Sequence, residues 1–255
     1  MRCVSVVSMK GGTAKSTTAG CLAMGLAERG HRVLLIDANQ QGDLTDTFGG
    51  TPRVGGVIDL LTGTPVQKLI QDTNALRVSL IAGTKDVARA GELVKATGNA
   101  RAKILLDALR PIRREFRFCI IDAPGAFDIT FLNVLTVADD AIITALPEYY
   151  SVKNIGELIR NVRFVKENLN PKLNVAGILL TRYQGRKNLT RDTVSALREA
   201  ERSLGTKLFD THIRENSKVG EAPARRQTVL TYAPKSNGAL DYKQFIDEYL
   251  QGVGK

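Results

Sequence analysis

The chain has 255 residues, of which 43% are hydrophobic and 24% charged, a globular composition that excludes a disordered or fibrous protein. No apolar run approaches the length of a transmembrane helix, and the apolar stretch before Lys10 is too short for a signal peptide, so we expect a cytoplasmic protein. The net charge of +10 favours an anionic partner.

Short β-branched apolar runs alternate with longer segments of helical period. We expect strands at Cys3–Val7, Arg32–Ile36, Leu76–Ile81, Phe116–Ile121, Ala141–Leu146 and Val175–Leu180. We expect helices at Lys15–Arg29, Ala102–Arg114, Ile129–Ala138, Val152–Leu169 and Thr190–Leu204. Several strands lack polar alternation, as strands buried on both faces of a parallel sheet do. The pattern predicts an α/β fold with a doubly wound, mostly parallel sheet flanked by helices, in a single domain over residues 1–255.

A glycine-containing loop, SMKGGTAKST at residues 8–17, lies between the first strand and the first helix. Such a loop can turn its backbone N–H groups around a polyphosphate, and the helix N-terminus behind it adds partial positive charge. Lys15 would then contact the β- and γ-phosphates, and the Ser16 hydroxyl would ligate Mg²⁺. The plain phosphate-loop pattern G-x-x-x-x-G-K-[ST] is matched only in part, because Met9 and Ala14 stand where glycines belong.

Two further predicted strands end in a carboxylate. Asp37 follows LLI in the second strand, and Asp122 follows FCII in the fourth. Strand ends of a parallel sheet meet at one edge, so both carboxylates are expected beside the loop, where Asp122 can hold the Mg²⁺ shell directly or through water. A strand-end aspartate elsewhere often only caps a helix.

Residues 10–16, KGGTAKS, resemble the deviant Walker A motif K-G-G-x-x-K-[ST] of the ParA/MinD family of ATPases. The segments around Asp37 and Asp122 are similar to the family's switch I (D-x-D-P-Q-G-N) and to its Walker B strand with switch II. Further similar segments are PEYYS at 147–151, GILLTRY at 177–183, EAP at 221–223 and YAPKS at 232–236. The resemblance covers residues from about 3 to 245 and is strongest to the Soj-like ParA proteins that partition DNA.

The resemblance implies a P-loop ATPase that forms a homodimer around ATP and Mg²⁺, with Lys10 of one protomer reaching the phosphates held by the other. The residues it assigns to catalysis are Lys10, Lys15, Asn39 and Asp122. The residues it assigns to the metal are Ser16, Asp37 and Asp122. The residues it assigns to ATP, the last two beside the adenine, are Lys10, Gly11, Gly12, Thr13, Ala14, Lys15, Ser16, Thr17, Arg182 and Asn216.

Position 39 departs from the family, which has a second aspartate there to orient or activate the attacking water. Asn39 can hydrogen-bond a water, but it bears no negative charge and cannot accept a proton. Phosphoryl transfer depends on positioning and charge stabilisation more than on base chemistry. We therefore expect ATP binding and dimerisation with slow hydrolysis; an engineered substitution that traps ATP would look the same.

The excess positive charge lies in two segments, +4 over residues 101–117 and +6 over residues 182–235, while the remainder is neutral. ParA relatives in their ATP-bound dimer bind DNA without sequence preference through basic residues of the C-terminal half. The corresponding candidates, expected to contact backbone phosphates, are Arg186, Lys187, Arg191, Arg214, Lys218, Arg225 and Arg226. Scattered solvated lysines and arginines would give the same net charge in these segments. Arg113 and Arg114 are placed to stabilise the C-terminus of the predicted helix.

The expected function is a partition or cargo-positioning ATPase, associated with the nucleoid and released from DNA when a ParB-like adaptor stimulates hydrolysis. A MinD-like membrane-surface ATPase would need a basic amphipathic tail, whereas the apolar stripe of residues 239–250 favours a helix docked on the core, with no membrane partner. An iron–sulfur carrier would need paired surface cysteines, whereas Cys3, Cys21 and Cys119 are expected to be buried thiols. A small-molecule synthetase on the same loop stays open.

Overall fold

The computed structural model describes residues 1–8, 10–94, 98–185 and 191–253. The strands found in these residues are β1 (Arg2–Val7), β2 (Val33–Asp37), β3 (Gln71–Asp72), β4 (Val78–Ile81), β5 (Phe118–Asp122), β6 (Asp140–Ala145) and β7 (Asn174–Leu180). They form one sheet in the order β3-β4-β2-β5-β1-β6-β7. All neighbouring strands are parallel except β3, which is antiparallel to β4. The predicted α/β fold with a mostly parallel sheet is confirmed.

Helices cover both faces of this sheet. The helices found in the described residues are α1 (Lys15–Glu28), α2 (Asp43–Thr47), α3 (Val57–Leu61), α4 (Ala90–Leu93), α5 (Ile104–Ala108), α6 (Ile129–Val137), α7 (Tyr149–Asn168), α8 (Arg191–Leu204), α9 (Ser217–Glu221), α10 (Val229–Tyr232) and α11 (Asn237–Val253). The predicted helices that correspond to α1, α6, α7 and α8 are confirmed to within a few residues. None of these helices combines the length and apolarity needed to cross a bilayer.

The predicted continuous helix over residues 102–114 is wrong. The structure has α5 there, with single 3₁₀ turns on either side at Gly98–Ala102 and Arg110–Ile112. Pro111 lies in the second turn, and because proline lacks a backbone N–H and its ring clashes with the preceding turn, an α-helix cannot run through it. Arg113 and Arg114 therefore do not end a long helix whose dipole they could stabilise.

The third predicted strand begins later than expected. Leu76 is 77% exposed and precedes Arg77, whose φ of +65° lies in the left-handed region. Regular pairing starts only at Val78, which lies opposite Val33 of β2. The two-residue strand β3 was not expected, because Gln71 and Asp72 carry no apolar pattern.

The core lies on both faces of the sheet, because successive strand residues point to opposite sides. In β1, Cys3 and Val7 belong to the cluster that includes side chains of α3, α6 and α7, whereas Val4 and Val6 belong to the cluster that includes α1 and α11. Cys3, Cys21 and Cys119 are buried and unbridged, as expected. The apolar residues Tyr242, Phe245 and Ile246 of α11 are fully buried, which confirms that this helix is docked on the core.

Candidate nucleotide site

The candidate site lies where three strands end. We call this edge of the sheet the carboxyl edge. β1 ends at Val7, directly before the loop, while β2 and β5 end at Asp37 and Asp122. Asp37 and Asp122 lie opposite each other in the β2–β5 pairing, and Val6 pairs with Asp122 on the other side. The strand ends therefore bring both predicted carboxylates beside the loop.

The loop turns sharply before entering α1. Gly12 and Ala14 have φ values of +76° and +55°, and Ala14 is the N-cap of α1 without a side-chain cap. Glycine adopts this left-handed conformation freely, so an alanine at position 14 stores backbone strain of about 1–2 kcal/mol. The turn leaves the first N–H groups of α1 unpaired within the helix, as phosphate binding requires.

Threonine hydroxyls from two strand ends hold the loop in place. The Thr181 hydroxyl donates to the carbonyl oxygen of Thr13 at 3.0 Å, and the Thr144 hydroxyl lies 3.1 Å from that of Thr13. All three residues are buried. Sequence reasoning missed Thr144 and noted Thr181 only as part of a motif, although a threonine at the end of a buried apolar strand is a usable signal for a group that supports the site.

The centre of the site is a buried ion pair beneath the loop. The Lys15 ammonium lies 2.7 Å from one oxygen of Asp122, and the Ser16 hydroxyl donates to the other at 2.6 Å. The side chain of Lys15 is 10% exposed and that of Asp122 is fully buried. Burial raises the pKa of the Asp122 carboxyl, while Lys15 and Ser16 act in the opposite direction.

Asp37 adds a second buried carboxylate to this centre. Burial, and then the negative charge of Asp122, raise the pKa of Asp37 to about 6. One oxygen of Asp37 accepts hydrogen bonds from the backbone N–H and hydroxyl of Thr45, at 2.9 and 2.8 Å. The backbone of Gly83 packs on this carboxyl so closely that a Cβ at position 83 would lie 2.8 Å from its Cγ.

Two buried carboxylates and a serine hydroxyl fit a Mg²⁺ ion that a nucleotide helps to bind. Within the described ranges, no three His, Cys, Asp or Glu side chains gather as a metal cluster. Mg²⁺ in phosphate sites commonly takes one or two carboxylates and completes its shell with phosphate oxygens and water. Ser16, Asp37 and Asp122, the predicted metal group, are thus brought together in an arrangement that suits Mg²⁺ with a nucleotide.

Asn39 lies on the wall of the cleft above this centre. Its backbone N–H donates to Asp37 at 3.2 Å, and its side-chain oxygen accepts from the backbone N–H of Gln41 at 3.2 Å. One lone pair of the amide oxygen is therefore already engaged. The amide NH₂ can only donate, so it can orient a water molecule but cannot remove a proton from it.

The cleft has a volume of about 730 Å³ and includes loop residues 10–17 in its lining. Arg182 and Asn216, the predicted neighbours of the base, lie on its wall. Arg182 forms an ion pair with Glu215 at 2.9 Å, and the Asn216 side chain caps α9 by accepting from the backbone N–H of Lys218 at 2.9 Å. The cleft therefore connects the phosphate loop with the predicted adenine side. Sequence reasoning did not single out Val219 or Tyr242, which also line it.

Lys10 lines the cleft but does not join the Lys15–Asp122 pair. Its ammonium lies 3.2 Å from Glu148, the residue before α7, and the two side chains are 31% and 55% exposed. Glu148 was noted in the sequence only as part of a motif, because a contact between residues so far apart along the chain cannot be inferred from spacing.

The DNA-binding candidates are in different situations. Arg186 and Lys187 lie outside the described residues, and Arg191 is the first residue of α8. Arg214 lines the nucleotide cleft and binds Asp241 through two guanidinium nitrogens. The Lys218 ammonium lies 2.7 Å from a carboxylate oxygen of Glu221. Arg225 and Arg226 are exposed at the end of a 3₁₀ turn.

Comparison with known proteins agrees with this geometry. The family model described as "AAA domain" matches residues 1–175. The chain is 33% identical over 253 residues to the chromosome-partitioning ATPase Soj of Thermus thermophilus, covering 99% of this chain and 97% of that protein. It is 32% identical over 244 residues to the chromosome partitioning protein ParA of Myxococcus xanthus, covering 94% and 85%.

The fold is also similar to a solved structure of cobyrinic acid a,c-diamide synthase from Mycobacterium smegmatis with bound ADP and magnesium. The TM-score is 0.82 with 27% identity, covering 100% of this chain and 96% of that one.

Proposed function

The chain belongs to the ParA/Soj family of P-loop ATPases, and from that membership we propose that it is a chromosome- or plasmid-partition ATPase acting as a single domain over residues 1–255. The observation that carries the proposal is the Lys15–Asp122–Ser16 group beneath a strained loop at the carboxyl edge. A relative named as a partitioning ATPase matches the chain over nearly its full length.

The residues of the site suit ATP hydrolysis with Mg²⁺. A bound Mg²⁺ ion would supply charge stabilisation for phosphoryl transfer, and Ser16, Asp37 and Asp122 would hold its shell. When nucleotide enters, Lys15 would leave Asp122 and bind the phosphates. The N–H groups of the loop and of the first turn of α1 cradle the phosphates.

Hydrolysis is slow in this proposal because Asn39 positions the attacking water without accepting its proton. ATP-bound protomers pair face to face across their carboxyl edges, and Lys10 of each reaches the phosphates of its partner. By analogy with arginine fingers, this charge contributes on the order of 10³-fold to the rate. A ParB-like adaptor stimulates the step.

The ATP-bound dimer binds duplex DNA without sequence preference and so associates with the nucleoid in the cytoplasm. Support comes from the +6 charge of residues 182–235 and from the exposure of Arg225 and Arg226. The ion pairs of Arg214 with Asp241 and of Lys218 with Glu221 reduce the charge that these two offer. Contacts to four to six phosphates would make binding steeply salt-dependent.

Co-sedimentation with duplex DNA in ATP, in ADP and without nucleotide tests the proposal. We expect a strong ATP-dependent increase in bound protein for the wild type. Lys10→Ala should keep nucleotide binding but lose both the ATP-dependent dimer, measured by light scattering, and the ATP-dependent DNA binding. A normal ATP dimer of Lys10→Ala, or DNA binding equally tight in ADP, would contradict it.

A second candidate is a synthetase that uses ATP to form an amide, because the diamide synthase structure is similar over the whole chain. Its test is ATP consumption by the purified protein with DNA, and separately with ammonia and carboxylic-acid substrates. Turnover that depends on ammonia, without any effect of DNA, would favour the synthetase over the partition ATPase.

A further inference from the structure

The edge of the sheet where the strands begin, which we call the amino edge, carries an arginine at the start of three neighbouring strands. Arg77, Arg32 and Arg117 directly precede β4, β2 and β5. The backbone N–H of Arg117 donates to the carbonyl of Arg32 at 2.9 Å, and the N–H of Val33 donates to the carbonyl of Arg77 at 2.9 Å. Neighbouring strands lie about 4.8 Å apart, so the three backbone positions form a row about 10 Å long.

The row has no neutralising partner in the described part of the chain. Arg32, Arg77 and Arg117 are exposed, and no acidic oxygen there lies within 4.0 Å of their guanidinium nitrogens. Two acids of the edge are already engaged, since Asp140 binds Arg2 of the next strand and Asp139 accepts from a backbone N–H.

Like charges at adjacent cross-strand positions destabilise a sheet. The row therefore weakens the fold locally, and no acidic side chain in the described strands neutralises it. A polyanion bound along the edge would supply the missing negative charge.

Aromatic side chains fix part of the row. The guanidinium of Arg32 lies 5.4 Å from the ring centre of Phe116, and that of Arg117 lies 5.9 Å from the ring centre of Phe118. Both rings are at least 95% buried, so they support the arginines from below and offer little apolar surface to a ligand. Docked polypeptides normally depend on buried apolar anchors, and the amino edge provides fixed planar donors instead.

We propose that the Arg77–Arg32–Arg117 row is a second DNA-binding surface, which contacts the backbone phosphates of duplex DNA independently of nucleotide. Guanidinium groups bind phosphate oxygens in pairs, and a duplex offers one negative charge per roughly 1.7 Å of its axis. The row lies at the opposite edge from the nucleotide cleft, so it does not depend on the ATP-gated binding proposed above. In a dimer that closes across the carboxyl edges, the two rows would face outwards and could hold separate duplexes.

The test uses fluorescence anisotropy of a labelled duplex with the full chain, without nucleotide and over a series of salt concentrations. In Arg32→Gln/Arg117→Gln we expect the log–log salt slope to become shallower by about 2, since each lost phosphate contact removes about 0.9. The control Arg53→Gln/Arg89→Gln removes the same charge from exposed arginines near the carboxyl edge and should leave the slope unchanged.

Thermal denaturation of the same variants shows whether the arginines have a structural role. The melting temperature of Arg32→Gln/Arg117→Gln should stay close to that of the wild type, because the like-charge repulsion that is removed offsets the loss of the two contacts with aromatic rings. A lower melting temperature would mean that the row stabilises the edge and would overturn the inference.

Other outcomes would also overturn it: no DNA binding by the nucleotide-free wild type, an equal loss in the control, or competition by polyglutamate as strong as that by unlabelled duplex at equal charge. The row and the ATP-gated surface are separable, since the ATP-dependent increase in binding should persist in Arg32→Gln/Arg117→Gln.

Discussion

At the scale of single residues, the site depends on which atoms are already engaged before a ligand arrives. The side-chain oxygen of Asn39 accepts from Gln41, and the Lys10 ammonium lies on Glu148. The Asn39 contact affects the proposed attack by water, and the Lys10 contact affects the proposed pairing of protomers. Both can be changed by one substitution without altering the core.

Asn39→Asp is expected to raise the turnover of ATP by about tenfold or more, because a carboxylate can accept the proton of the attacking water and general-base catalysis typically contributes 10²–10⁴-fold. Phosphate release under single-turnover conditions measures the effect. Gln40→Glu is the matched control, since it adds the same charge at the adjacent exposed position. Equal rates for wild type and Asn39→Asp would remove residue 39 from the mechanism.

Glu148→Gln is expected to favour the ATP-dependent dimer, because Lys10 must leave Glu148 to reach the partner's phosphates. Partly exposed ion pairs contribute about 0–1 kcal/mol, and two of them break per dimer, so the protein concentration at half-dimerisation should fall by up to about 25-fold. Light scattering against concentration in ATP provides the measurement. Weaker dimerisation would show that Glu148 supports the dimer instead of restraining Lys10.

At the scale of secondary-structure elements, the sequence predicted the buried apolar strands and the helices that match α1, α6, α7 and α8, since their periodicity is strong. The sequence-based prediction failed where the hydrophobic pattern was too short or conflicted with a single residue. Pro111 interrupts an apolar pattern that otherwise has helical period, and β3 is too short and too polar to show any pattern. The carboxylates were placed correctly because strand ends determine their position, whereas the Lys10–Glu148 contact depends on tertiary approach.

The packing of α11 on α1 depends on a glycine. A Cβ added at Gly25 would clash with Cδ1 of the buried Ile246, so Gly25→Ala should destabilise the protein by about 1–3 kcal/mol. Gly156→Ala in α7 is the control, because its Cβ would meet nothing closer than 3.9 Å and alanine favours a helix. Urea denaturation measures both. A Gly25→Ala variant as stable as Gly156→Ala would mean that the two helices move apart at no cost.

At the scale of the whole molecule, the two edges of the sheet carry different functional groups. Its carboxyl edge gathers acids and a phosphate loop, and its amino edge presents a row of arginines. Composition located the excess charge along the chain but could not reveal this row, because Arg32, Arg77 and Arg117 become neighbours only through the strand order. The same limit applies to the cleft, whose walls come from distant segments.

Nucleotide should stabilise the folded chain as a whole. At 100 times its Kd, ADP with Mg²⁺ should add about 2.7 kcal/mol, or roughly 5–10 °C in melting temperature for a chain of this size. In Asp37→Asn the part of this shift that EDTA removes should be smaller, whereas the exposed Asp46→Asn should behave as the wild type. A shift unaffected by EDTA in the wild type would contradict the proposed metal group.

The contact between Lys15 and Asp122 has a consequence for the protein between rounds of nucleotide binding. The Lys15 ammonium acts as a built-in counter-ion for a fully buried carboxylate, so a protomer without nucleotide is not left with that charge uncompensated. We therefore expect such a protomer to stay folded without a bound metal ion until it binds the next nucleotide.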